Sequence, residues 1–396
     1  VRPELVQTRP QLERWCGKLA ASTQIALDTE FISERTYRTQ LCLVQLALPD
    51  GTAVLVDPLA IGDLRPLWEL LADGGHETVV HAGREEVMFS LEAVGRPPAR
   101  LFDVQLAAGM IGMQYPAGYR NLVTQLLEVS PRKGETRSDW SQRPLTSHQL
   151  AYAVEDVRYL IPLRNLLHER LVRLERVAWL EEETTAWLAE LAEARGRERW
   201  RRLTGGAGLS PRAQAIVREL WHWREAEAAA RNRPAKTVLR DDLIVELARR
   251  GTADPSQIQA LRGMERRDLR PLIPDLAAAI ERALLLPQTD LPHPPPRFDN
   301  SQFTLLGQLL SSALGSVCRN AQIAPSLVGT ANDVRAFIAW RLGESDPQYP
   351  PPLLTQGWRA QVVGRVLDDL LAGKLAIRVR DPRSDTPLEI QPLPEA

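Results

Sequence analysis

Residues 24–57, QIALDTEFISERTYRTQLCLVQLALPDGTAVLVD, decide how this chain of 396 residues begins to fold. The segment holds three apolar runs, QIALDTEF, LCLVQLAL and TAVLVD, with the turn formers Pro49, Asp50 and Gly51 before the last. Runs of this length bounded by turn residues read as strands. Their short spacing predicts an antiparallel meander. The period then changes. Apolar residues at 64, 67, 68, 70 and 71 in LRPLWELLAD predict a helix. ETVVHAG (77–83) reads as a short strand, and REEVMFSLEAVG (84–95) as a helix closed by Gly95. LFDVQLAAGMIG (101–112) and NLVTQLLEVS (121–130) read as helical. TSHQLAYAVEDVRYLIPLRNLLHERL (146–171) reads as one long amphipathic helix, with Thr146 and Gln149 in a capping-box pattern. Strands alternating with helices after a meander predict an α/β unit, a mixed sheet with helices on both faces.

The length is compatible with two to three domains at roughly 150 residues each. The α/β unit spans 1–170. A helical, Glu/Arg-rich connector follows over 171–208, ending in the GGAG break at 205–208. Residues 209–289 read as a compact all-α unit. LPQTDLPHPPPR (286–297) is the clearest linker. A second mostly helical unit fills 300–380, similar enough in size to suggest a diverged duplication, and 381–396 reads as a loose tail. Apolar residues at 44% and charged residues at 25% exclude a disordered or collagen-like chain. No stretch approaches the roughly 18 consecutive apolar residues of a membrane span. The opening VRPELVQTRPQLERW lacks an apolar core with a small-residue cleavage site, so no signal peptide is expected. Cys16, Cys42 and Cys318 lie far apart and form no metal-binding or disulfide pattern. Cytoplasmic residence is the expectation. Net charge is −1, yet residues 191–290 hold 19 Lys+Arg against 14 Asp+Glu, a local excess of +5.

Acids concentrate where chemistry can use them. Asp28 and Glu30 stand at i and i+2, so both point to one face at the end of a strand. Glu85 and Glu86 begin a helix just after a strand. Asp156 follows Tyr152 by one helical turn on the same face. Asp103 opens a helix and is read as its cap, since an acid there also opposes the helix dipole. Carboxylates without His or Cys suit the hard cations Mg²⁺ and Mn²⁺.

The ordered set IALDTEF (25–31), VVHAGREE (79–86) and AYAVEDVRYL (151–160) resembles the three motifs of the ribonuclease D family. That family belongs to the tyrosine-type branch of the DEDD 3′→5′ exonucleases. TRSDWSQRPLT (136–146) is similar to the segment that precedes the family's third motif. GLSPRAQAIVRELWHWREAEAAARNRPAKTVLRDDLIVELAR (208–249) is similar to the opening of an HRDC domain, and 300–380 is read as a second HRDC-like unit. One position departs: the family places Asp where this chain has Glu86, one methylene longer.

The resemblance implies a ribonuclease H-like exonuclease fold followed by all-α HRDC-like domains. It implies that Asp28, Glu30, Glu86 and Asp156 hold two divalent ions, Mg²⁺ or Mn²⁺, ~3.5–4 Å apart. Tyr152 would orient the attacking water, activity would rise with pH, and nucleoside 5′-monophosphates would leave a free 3′ end. The implied partner is RNA, such as a tRNA precursor, with single-stranded DNA or a catalytically impaired nucleic-acid-binding scaffold as the alternatives. A monomer without membrane contact is expected. Phe31, His81, Arg137, Trp140 and Arg143 are candidate substrate contacts; Phe31, His81 and Trp140 are also readable as structural residues, and Arg137, Trp140 and Arg143 as contacts to backbone phosphate or a stacked base. Trp221 is read as core, with Trp223 and Arg224 nearer the surface. Gly357-Trp358-Arg359 stands out without attached chemistry.

Overall fold

The computed structural model describes residues 3–131, 138–194, 198–203, 205, 208–292, 302–345 and 350–393. Its main sheet has six strands: β1 (Glu4–Val6), β2 (Gln24–Ile32), β3 (Gln40–Ala47), β4 (Ala53–Val56), β5 (Glu77–Val80) and β6 (Leu101–Asp103). They lie in the order β1-β4-β3-β2-β5-β6. The meander is present, since β2–β3 and β3–β4 are antiparallel, while β1, β5 and β6 pair in parallel with their neighbours. Alternation in β2 sorts the two faces. Ile25 and Leu27 pack with Leu12, Trp15, Leu67 and Trp68 from helices Arg9–Ala20 and Arg65–Asp73. Ala26 faces the other layer, with Val157, Leu160 and Leu163.

Several local expectations need correction. β1 and the Arg9–Ala20 helix add to the expected elements; the helix opens with a Thr8–Gln11 capping box and buries Leu12, Trp15 and Leu19 at helical spacing. LFD is an edge strand rather than helix; the helix starts one residue later, at Val104, with Asp103 as its cap. The long helix is two, Ser147–Arg158 and Leu160–Arg173, separated at Tyr159. Pro162 has no N–H for the carbonyl of Arg158, which favours a break there.

The unit after residue 200 closes its own core, from Trp200 to Leu291. Arg224 is not at its surface: it is 4% exposed and bonds Asp241 Oδ1 at 2.7 Å and the Leu239 carbonyl at 3.1 Å. Trp221 and Trp223 are both half-buried against that core. The second helical unit behaves differently. Phe303, Leu310, Phe337 and Trp358 share one core with Ala108 and Leu163 of the α/β unit.

Helix Val177–Ala194 is the seam, so the expected connector is in fact a packed element. Just before it, Arg176 donates to the Met110 and Gln322 carbonyls, both at 2.6 Å. Trp358 stacks on Trp179 at 5.8 Å, and Arg359 bonds Glu183 through two nitrogens at 2.5 and 2.7 Å. The expected tail is also ordered in part: its β8 (Leu388–Pro392) pairs antiparallel with β7 (Leu375–Val379), which lies just before it in the second helical unit. Residues 293–297 of the expected linker lie outside the described residues. No helix among the described residues is long and apolar enough to cross a membrane.

Candidate active site

Three elements bring the acids together. β2 carries Asp28 and Glu30 on the face that also holds Ala26, under the Ser147–Arg158 helix with Tyr152 and Asp156. The register shifts between Glu30 and Phe31, a bulge of the kind that re-aims side chains at strand ends.

The third element is helix Arg84–Val94, and its start is fixed tightly. Ala82 takes φ 54°, and at Gly83 a Cβ would lie 2.4 Å from Val80 Cγ2. Asp103 clamps this turn by accepting from the N–H groups of Ala82 and Gly83, both at 3.0 Å, and of Gln105 at 2.8 Å. Its acceptors are thereby committed, so Asp103 is a cap and clamp as read, and Glu86 is delivered one turn into the helix. Glu86 is 5% exposed and accepts from Thr29 Oγ1 at 2.6 Å. Glu85 turns outward to Arg84.

The electrostatics are those of unneutralised acids crowded together. Burial pushes the Asp28 carboxyl up, and Asp156 pushes it further. Burial likewise raises Glu86, with Asp28 adding to it. Glu30 is pushed up to about 9 by burial and then by Asp28, Asp156 and Glu86. Burial raises Asp156 too, against a hydrogen bond from Tyr152 and the nearby Arg120. The Tyr152 phenol is raised by burial and by the same acids, so it stays protonated. Among the described residues, no three His, Cys, Asp or Glu side chains are placed closely enough to hold a metal ion as they stand. The donor set nonetheless fits hard cations: four carboxylates, no His or Cys ligand, and a buried Asp156 Oδ2 with no partner among the described residues.

The candidate substrate contacts divide. Phe31 lines a cleft of about 720 Å³ together with Glu30, Arg35, Trp140 and Tyr152, so this cleft reaches one of the four acids, Glu30. Phe31 also meets Phe89 edge-on at 5.9 Å. Trp140 is mostly core: it packs with Leu43, Leu55 and Ala153, with only an edge reaching the cleft. His81 is tied by Nε2 to the Ala117 carbonyl at 2.8 Å and meets Tyr119 edge-on.

Arg143 requires correction. It grips Asp57 at 2.8 and 2.7 Å and the Cys42 carbonyl at 2.7 Å, so its guanidinium is used inside the protein. Arg137 lies outside the described residues. Sequence reading missed Thr29, the partner of Glu86, and Arg120, which no motif marks.

The family profile described as 3′-5′ exonuclease matches residues 3–172, and that of the HRDC domain matches 213–280. Ribonuclease D of Jannaschia sp. (strain CCS1) is 35% identical over 393 residues, covering 96% of this chain and 97% of that protein. The chain belongs to the ribonuclease D family. Ribonuclease D of Pseudomonas paraeruginosa is 34% identical over 92% of this chain and 97% of its own length. Among solved structures, Escherichia coli RNase D, an exoribonuclease involved in structured RNA processing, superposes with a TM-score of 0.81 at 28% identity. That match covers 94% of this chain and 99% of that one. The ribonuclease D likeness therefore runs through both helical units, not only the α/β unit.

Proposed function

We propose that this chain is a metal-dependent 3′→5′ exoribonuclease that trims the 3′ ends of structured RNA, tRNA precursors among them. The reading rests on the mutual electrostatic influence of Asp28, Glu30, Glu86 and Asp156, with Glu30 on the wall of a cleft, in a chain that matches ribonuclease D along nearly its whole length. These four acids would hold two divalent ions, Mg²⁺ or Mn²⁺, which supply Lewis-acid activation of water and stabilisation of the leaving 3′ oxygen.

The chain's own groups do the rest. Tyr152 keeps its proton, so it orients the attacking water rather than deprotonating it. Phe31 and the edge of Trp140 form an apolar wall for the terminal nucleotide. Asp103, Ala82 and Gly83 fix the helix start that presents Glu86. The products are nucleoside 5′-monophosphates.

Residues 209–289 supply an HRDC domain whose positive balance favours RNA phosphates, and 300–380 acts as a second HRDC-like unit docked on the catalytic one. The protein works as a cytoplasmic monomer. Matched RNA and DNA oligonucleotides with free or blocked 3′ ends, incubated with Mn²⁺ or EDTA, test the reading. Stepwise loss of 5′-monophosphates from the free-ended RNA alone is expected. Preference for DNA, or binding of both without cleavage, would overturn it.

A further inference from the structure

From Cys42 to Ala47 every residue of β3 is buried, and Gln45 is the one amide in that run. It is 0% exposed, and neither its Nε2 nor its Oε1 has a hydrogen-bond partner among the described residues. A buried primary amide with nothing to bond is strongly disfavoured. Leu or Val would fill the same place without that cost, so packing alone does not explain a glutamine here.

Its position is well defined. Gln45 pairs directly with Asp28 in the antiparallel register, which puts both side chains on one face with Cβ atoms about 4.5–5.5 Å apart. Its neighbour on the other side is Leu55. The Ser147–Arg158 helix lies over this face. Ala153 of that helix packs with Leu43 and Leu55, and Val157 belongs to the cluster of Ala26 and Ala47. Gln45 falls between those two contacts, in the layer that also holds Asp156. Asp156 Oδ2 is itself buried and unpartnered. One layer thus contains a donor lacking an acceptor and an acceptor lacking a donor.

We infer that Gln45 is a positioning residue of the metal cradle: its amide N–H serves Asp156 Oδ2, directly or through one buried water, and holds the helix-borne acid against Asp28. The inference rests on the metal-site reading above. Gln45 touches neither substrate nor reacting atoms. It acts by limiting the freedom of Asp156, as partners of metal-binding carboxylates commonly do.

The test is calorimetric titration of the full chain with Mn²⁺ and no RNA, alongside thermal melting in EDTA. Gln45→Met keeps the length and removes the donor. It is expected to weaken Mn²⁺ binding about 10–100-fold, with the melting curve in EDTA showing that the variant is folded. Gln45→Asn, whose amide stops one methylene short, serves if the methionine variant does not fold, and weakened Mn²⁺ binding is again expected. Wild-type Mn²⁺ affinity in the folded variant overturns the inference alone. A wild-type protein that binds no Mn²⁺, no better than Asp156→Asn, overturns the metal site and the inference with it.

Discussion

Arg143→Met offers a direct test of how this fold is held together. Asp57 is 1% exposed and caps the short helix Pro58–Ile61 through the N–H of Leu59. Burial alone would raise its carboxyl, but hydrogen bonds from Arg143 and Gln7 hold it below the ordinary value. Arg143 also donates to the carbonyls of Trp140 at 2.7 Å and Cys42 at 2.7 Å, stitching the 140–143 loop to β3. Methionine fills much of the volume but leaves Asp57 charged and largely uncompensated. Breaking a buried pair from one side costs about 3–5 kcal/mol. At ~2–4 °C per kcal/mol for a unit of this size, the α/β unit should melt about 6–20 °C lower. Thermal melting by circular dichroism at pH 7.5 measures this, and fluorescence anisotropy with labelled RNA at 15 °C, where the variant stays folded, measures binding. RNA affinity and its salt slope should stay close to wild type. An unchanged melting temperature with weakened, less salt-dependent RNA binding would refute the reasoning and return Arg143 to the substrate.

Glu86→Gln keeps the bond to Thr29 within reach but removes charge, so single-turnover RNA cleavage should fall at least about a hundredfold, while Glu86→Asp should retain activity; equal rates for wild type and Glu86→Gln at limiting metal would remove Glu86 from the site. Trp358→Ala deletes a fully buried ring at the seam with Trp179. It should cost about 3–5 kcal/mol in denaturant unfolding, and a loss below ~1 kcal/mol would show that the two units are not packed as described. The folded acids hold protons that the unfolded chain, with carboxyls near pH 4, has released, with Asp156 raised to about 7 and Glu30 to about 9. In EDTA, stability should therefore fall as pH rises from about 5 to 9, and saturating Mn²⁺ should flatten or reverse that slope. A melting temperature in EDTA that climbs across this range would contradict the crowding of the acids.

The candidate acids were legible because metal-site chemistry asks for a residue type at a fixed place in the chain. Asp28 and Glu30 share a strand face, Glu86 lies five residues past His81, and Tyr152 precedes Asp156 by one turn. The meander was legible for the same local reason, through its apolar runs and the turn at 49–51. What escaped depends on partners far away in sequence. Nothing near Arg143 announces Asp57, which lies 86 positions earlier. Nothing near Trp358 or Arg359 announces Glu183. Arg224 reads as a surface cation until Asp241 is seen beside it. β6 and β8 are strands of three and five residues whose partners, not their own patterns, make them strands.

The central claim is that four acids form one metal-dependent nuclease site. Digestion of a 5′-labelled RNA with a free 3′ hydroxyl, followed by gel and chromatographic identification of products, tests it most directly. Wild type, Asp28→Asn and Asp156→Asn are compared in Mn²⁺ and in EDTA, each with its melting temperature. The account predicts a 3′-shortening ladder and nucleoside 5′-monophosphates from wild type in Mn²⁺ only. Both variants should be inactive while melting at or above the wild-type temperature in EDTA, because one of the crowded, buried acids is gone. Wild-type cleavage by folded Asp28→Asn or Asp156→Asn, or cleavage that survives EDTA, would contradict it.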